Sequence, residues 1–292
     1  MRAGLIVERV RAACLSLLLL GAVLIVWQSA TVRDAPPAGR PMTAAEAEYA
    51  ALMGKAAGPA GAPAKASGFP SPAAFVRSAA AQLADPFYDH GPNDKGIAVQ
   101  LAASLARVAL GYLAAVLVAV PLGFLIGMSA TLYRALNPFI QILKPISPLA
   151  WMPIALYTIK DAALSGVFVI FICSLWPMLV NTAFGVASVR RDWLNVARTL
   201  ELTPLRRAFT VILPAAAPTI VTGMRISMGI AWLVIVAAEM LVSGTGIGYF
   251  VWNEWNNLSL AHVIFAVLII GLVGMLLDFA FARLQRRVTY AE

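Results

Sequence analysis

The chain of 292 residues is 61% hydrophobic and only 12% charged, with a mean hydropathy of +0.82, whereas a soluble domain carries about a quarter charged residues. That composition excludes an ordinary soluble protein. The net charge of +8 suggests a nucleic-acid binder until its placement is read, because the basic residues cluster beside apolar runs instead of on a patterned polar surface.

Six runs are apolar enough to cross a hydrocarbon core, which takes about 20 residues as a helix: residues 12–30, 108–128, 146–159 with an N-terminal extension, 164–184, 219–242 and 260–281. No run shows the strict alternation of a membrane β-strand, so the expected fold is all-α and polytopic, with about six transmembrane helices. Arg2, Arg9 and Arg11 precede the first run. Arg190, Arg191, Arg198, Arg206 and Arg207 lie in the 185–213 loop, and Arg283, Arg286 and Arg287 close the chain. Residues 31–97 instead balance acidic against basic side chains. The positive-inside rule puts both termini and the 185–213 loop in the cytoplasm and 31–97 outside.

The expected organisation is an N-terminal span at 1–30, an external segment at 31–97 and a core at 98–292. The first run also fits a cleaved signal peptide, with Gln28-Ser29-Ala30 as the site; its length and the terminal Trp27 favour a retained span. A helix-favouring stretch at 43–57 is followed by a Gly/Pro/Ala linker at 58–72. Ser71-Pro72 then reads as an N-cap followed by Pro at the first helical position, opening an amphipathic helix with Phe75, Val76, Ala79 and Leu83 on one face. Residues 85–96 are polar and turn-rich, and a helix passes through Ser104 and Arg107 into the second span.

The third span is irregular. Pro138, Pro145, Pro148 and Pro153 are crowded into it, and a proline inside a helix removes a backbone donor. A broken helix at membrane depth is tolerated where protein or a water-filled cavity satisfies the freed carbonyls, so this region is expected beside a pathway. In the fourth span Ser174, Met178 and Asn181 form a stripe suited either to line a path or to pack helices. In the fifth, Arg225, Trp232 and Glu239 recur every seven residues and share a face with Met228, Gly229 and Val236. Arg225 is read as a ligand-facing cation or as one that reaches to the interface, and Glu239 as a structural or gate residue. Trp151 and Trp176 suit a pathway ring or interface anchors, and Gly244 to Gly248 with Tyr249, Trp252 and Trp255 suit a re-entrant loop or an aromatic belt.

Cys14 and Cys173 lie far apart in apolar runs, and His90 and His262 lack ligand-spaced companions, so no disulfide framework or metal site is legible. No GxxxxGK[ST] phosphate loop occurs, which leaves a passive channel or a transporter whose ATPase is a separate subunit. The 190–214 segment bears on that choice. It reads Asn195-Val196-Ala197-Arg198-Thr199-Leu200-Glu201, nine residues, then Val211-Ile212-Leu213-Pro214. This resembles the EAA-x3-G-x9-I-x-LP signature of binding-protein-dependent ABC importer permeases, with Asn195 in place of Glu, Val196 in place of Ala and Glu201 in place of Gly.

Further blocks are similar to the nitrate-transporter permeases and to their bicarbonate and cyanate relatives: Asp85-Pro86-Phe87-Tyr88-Asp89, Asn93-Asp94-Lys95-Gly96, Leu149-Ala150-Trp151-Met152-Pro153, Trp176-Pro177 and Ala237-Ala238-Glu239-Met240. Sulfonate and taurine permeases are more distant. The resemblance implies a type I ABC importer fold and a non-catalytic subunit working as a permease dimer in the bacterial inner membrane. Its implied partners are two ATPases, which hold ATP and Mg, and an external or lipid-anchored substrate-binding protein. It further implies that Val196, Ala197, Arg198, Leu200, Leu205, Arg206 and Arg207 belong to coupling helices docked on the ATPase. No cofactor is expected on this chain.

Overall fold

The computed structural model describes residues 2–32, 69–91, 94–242 and 244–289. The helix expected over 43–57 and most of the 58–72 linker lie outside the described residues. The chain divides into two compact units, Met1–Ala81 and Gln82–Glu292.

Helix α1, Arg2–Val32, lies in the first unit, and α2, Pro72–Ala84, starts there and ends just past its boundary. The Ser71 hydroxyl accepts the Ala74 N–H at 3.3 Å, the expected cap at the third helical residue. Trp27 donates its indole N–H to the Pro70 carbonyl at 2.9 Å and lies against Phe69 and Phe75, with ring centroids 5.8 and 5.7 Å away. The indole thus bonds one end of α1 to the residue just before the α2 cap, so its role exceeds that of a simple interface anchor.

The second unit is a helical bundle. Residues 85–96 fold back as a narrow turn before α3, which spans Ile97–Met128: Gly96 donates to the Tyr88 carbonyl at 2.7 Å and Ala98 to that of Pro86 at 2.9 Å. The close backbone approach leaves no room for a Cβ at Gly96. These bonds join residues 85–96 to the start of α3. Tyr88 is pushed above its usual range by burial and by neighbouring Asp94.

The proline-rich region forms α4, Ala130–Leu143, and α5, Pro148–Ile159, bent by 91° at the break between them. Pro148 starts α5, where its missing donor costs nothing, and the break at Lys144–Ser147 includes Pro145. Then follow α6 (Ala162–Ala187), the short α7 (Arg191–Thr199) and α8 (Pro204–Arg207), and a π-helical turn (Ala208–Ile212) leading into α9 (Leu213–Leu241). A short α10 (Ile247–Asn256) and the long α11 (Leu260–Val288) complete the fold.

Five described helical stretches are long and apolar enough to cross a membrane, or six if bent α4 and α5 make one crossing. Helix α6 is central, packing along α3 on one side and α9 on the other. The contacts are close because Gly123 of α3 sits on the Leu179 carbonyl and Thr182, while Gly223 of α9 sits on Asn181. Without an oil-water difference to drive association inside lipid, such small-residue contacts give the helices dispersion area.

Candidate functional site

Helix α7 ends in a Schellman cap. Leu202 N–H donates to the Ala197 carbonyl at 3.2 Å and Glu201 N–H to that of Arg198 at 2.9 Å. Glu201 adopts φ +51°, the left-handed conformation that glycine takes without strain. The turn at the signature's Gly position is made by Glu201, and α7 stops at Thr199. Thr203-Pro204 opens α8, with Pro at its first position.

The same geometry sorts the side chains. Ala197 is 1% exposed and faces the bundle, whereas Val196, Leu200 and Leu205 are 59, 65 and 75% exposed. Trp193 and Phe209 are exposed as well, and Arg198 and Arg206 lie open beside them, while Arg207 and Leu202 are half-buried. Asn195 and Glu201 are exposed and Pro214 stands at the start of α9. Leu213 packs against an apolar cluster of Val186, Val189, Ile212, Ala216 and Ile220, which ties this segment to the ends of α6 and α9. An apolar face with arginines at its rim, mounted on two long helices, suits docking in a groove of a partner.

At the other end of α9 stands a buried polar network. Glu239, 7% exposed, accepts from Arg107 Nη1 at 2.6 Å, from the Ser104 hydroxyl at 2.7 Å and from Gly248 N–H at 3.1 Å. Ser104 Oγ accepts Ile247 N–H at 2.8 Å, Gln100 Oε1 accepts Gly246 N–H at 2.5 Å, and Arg107 also donates to the Thr245 carbonyl at 2.6 Å. Three otherwise orphan N–H groups at the start of α10 are thus held by α3 and α9 side chains. The carboxylate also lies at the positive end of a helix dipole, with its charge compensated by Arg107. Glu239 is engaged within its own chain.

Gln100, Ser104 and Arg107 were not singled out as Glu239's partners by sequence reasoning, although their spacing of four and three places them on one face of α3. That polar stripe on an otherwise apolar helix was the available signal.

Arg225 forms a two-pronged pair with Asp278 of α11, at 2.6 and 2.7 Å, and reaches Gln285 at 3.3 Å. Trp232 is buried and donates to the Ile270 carbonyl at 3.0 Å. Both therefore face α11, whereas Glu239 faces α3 and α10. Ser174 and Met178 are fully buried; Ser227 donates to the Ser174 carbonyl at 2.8 Å, and Gly223 lies against Met178 and Asn181. That stripe is the packing surface of α6 on α9. Met228 is buried, and Trp151 and Val236 are half-buried, Trp151 against a cluster that contains Met152 and Val234.

The described residues form a bundle of five or six membrane-length helices, with the short exposed helices α7 and α8 between α6 and α9. The chain belongs to the family of binding-protein-dependent transport system inner membrane components, whose pattern matches residues 119–290. It is 45% identical to the nitrate import permease protein NrtB of Synechocystis sp. over 226 residues, 77% of this chain and 82% of that protein. To the bicarbonate transport system permease protein CmpB of the same organism it is also 45% identical, over 204 residues, 70% of this chain and 73% of that one. Its fold is similar to that of a chain in the inward-facing MetNI methionine ABC transporter, with a TM-score of 0.59 at 16% identity, covering 65% of this chain and 94% of the other. The chain is an ABC importer permease subunit.

Proposed function

We propose that this permease imports a small inorganic anion, nitrate or nitrite first and bicarbonate second, with cyanate and sulfonates or taurine as more distant alternatives. The observation that carries the reading is the 45% identity to a nitrate import permease over 77% of the chain. In this reading two copies of the chain form the path in a bacterial inner membrane, with both termini and the α7–α8 segment in the cytoplasm. Two ATPase subunits bind ATP and Mg, and this chain holds neither cofactor nor catalytic group. A substrate-binding protein, soluble or lipid-anchored, delivers the anion.

The proposed cycle is alternating access. ATP draws the ATPases together, and each pulls the exposed Val196, Leu200 and Leu205 face of its permease with it. The movement passes through the apolar cluster at Ile212 and Ala216 into α6 and α9, opening the path toward the loaded binding protein. The bonds from Gln100, Ser104 and Glu239 keep α10 attached to the moving helices at the outer end.

The test is affinity of the cognate binding protein for nitrate, nitrite, bicarbonate, cyanate and taurine, followed by uptake in vesicles containing the reconstituted complex. Tight nitrate binding with ATP-dependent nitrate uptake is expected. Bicarbonate binding without nitrate binding would overturn the first choice.

A further inference from the structure

Among the cations in the membrane-length helices, Arg107 is neutralised by Glu239 and Arg225 by Asp278. Arg134 of α4 has no described carboxylate within 4.0 Å, and neither does Lys144, the exposed C-cap residue of that helix. Lys144 sits at the break between α4 and α5, where the chain bends by 91°. At 1.5 Å per residue the 14 residues of α4 reach only about 21 Å, so neither α4 nor the shorter α5 crosses a core of about 30 Å alone. An ionisable side chain at such a place is expensive and marks an ion route more often than a packing site.

Tyr133, Asn137, Gln141 and Lys144 are spaced by four, four and three residues, which places them on one face of α4. That face lines a cavity of about 60 Å³, and the opposite wall is apolar, formed largely by Leu179, Val180 and Ala183 of α6. The space accommodates several waters. Its four polar side chains all offer donors, a phenol O–H, two amides and an ammonium, and no carboxylate faces them. Such a lining is favourable for an anion and unfavourable for a cation; Asn137 is half-buried, while Tyr133, Gln141 and Lys144 are exposed, so the cavity is open on the α4 side. On the face away from the cavity Phe139 and Ile142 are exposed.

We propose that the α4–α6 cavity is a way-station for a small monovalent oxyanion on the translocation route, with Lys144 as its charge partner and Tyr133, Asn137 and Gln141 as neutral donors. This rests on the anion-import reading above. A rival account is that Lys144 only complements the C-terminal dipole of α4; it predicts altered stability without altered transport.

The experiment is initial nitrate uptake by the permease, its ATPases and the loaded binding protein reconstituted in vesicles. A charge-assisted hydrogen bond lost from the route corresponds to about a tenfold or larger fall in maximal rate. Lys144→Gln should show that fall with an unchanged apparent KM for the loaded binding protein, since that step precedes the cavity. Lys144→Arg should recover most of the rate, and Lys144→Glu should fall below Lys144→Gln.

Wild-type rates for Lys144→Gln, or an Lys144→Arg rate no better than Lys144→Gln, would overturn the site. If Lys144→Gln fails to assemble, the double change Tyr133→Phe with Gln141→Leu removes two donors at nearly constant shape; a several-fold slower rate supports the site and an unchanged one overturns it. A wild-type complex that moves neither nitrate, nitrite nor bicarbonate would instead refute the anion reading itself.

Discussion

Replacing Arg107 by Met isolates the charge that makes the Glu239 network tolerable. The Glu239 side chain is 7% exposed and that of Arg107 19%, so this is a pair largely out of solvent. Removing one partner of a buried pair costs about 3–5 kcal/mol, because the other charge stays desolvated. Glu239 would keep the Ser104 hydroxyl and Gly248 N–H, which argues for the lower end, about 3 kcal/mol.

For a chain of this size about 1 kcal/mol corresponds to 2–4 °C, so the melting midpoint should fall by about 6–12 °C. Glu239→Gln should cost less, since it keeps an acceptor and leaves a guanidinium that is already partly exposed. The double variant Arg107→Met with Glu239→Gln removes both charges together. It should therefore be more stable than the sum of the single losses predicts, by about 1–2 kcal/mol. Tryptophan fluorescence of the detergent-purified permease, scanned at one fixed heating rate, reads these midpoints. Strict additivity, or a midpoint within about 2 °C of wild type for Arg107→Met, would refute the compensation argument.

Glu201→Gly relieves a non-glycine residue at φ +51° and should stabilise the end of α7 by about 1 kcal/mol, read as a higher melting midpoint with the ATPase still co-purifying. Val196→Asp or Leu200→Asp, both at exposed positions, should reduce ATPase co-purification and leave the midpoint within about 2 °C, as surface changes do; intact assembly would remove α7 from the docking surface. Arg206→Glu should weaken the same association more at low than at high salt, because screening suppresses exposed charge contacts. Gly248→Ala would drive a Cβ into the Val236 carbonyl and Glu239 and should lower the amount of folded permease recovered by size-exclusion chromatography, whereas Gly229→Ala, where nothing lies within 4 Å, should not.

Much of this protein was legible in one dimension because lipid imposes a one-dimensional rule. A helix must satisfy its own backbone over about 20 apolar residues, so the crossings, the broken third span and the Ser71 cap follow from runs, prolines and local spacing. The sides of α7 were legible for a related reason: spacing over one turn puts exposed Val196 on one side and buried Ala197 on the other. The end of α7 was not, because Glu is a poor predictor of a left-handed turn, and the bonds from Leu202 and Glu201 back to Ala197 and Arg198 hold it there.

Charge pairing was beyond sequence reasoning. Arg107 and Glu239 are 132 residues apart and Arg225 and Asp278 are 53 apart, and no local rule states which faces of distant helices meet. Arg225, Trp232 and Glu239 drift by only about 20° per step on an ideal helix, yet their neighbours change from α11 to α3 and α10 along α9. Composition and local periodicity therefore determined which apolar runs are long enough to cross a membrane. Which cations are neutralised, and that Lys144 is not, was decided by packing, since the energy of a charge depends on what lies within a few ångströms of it.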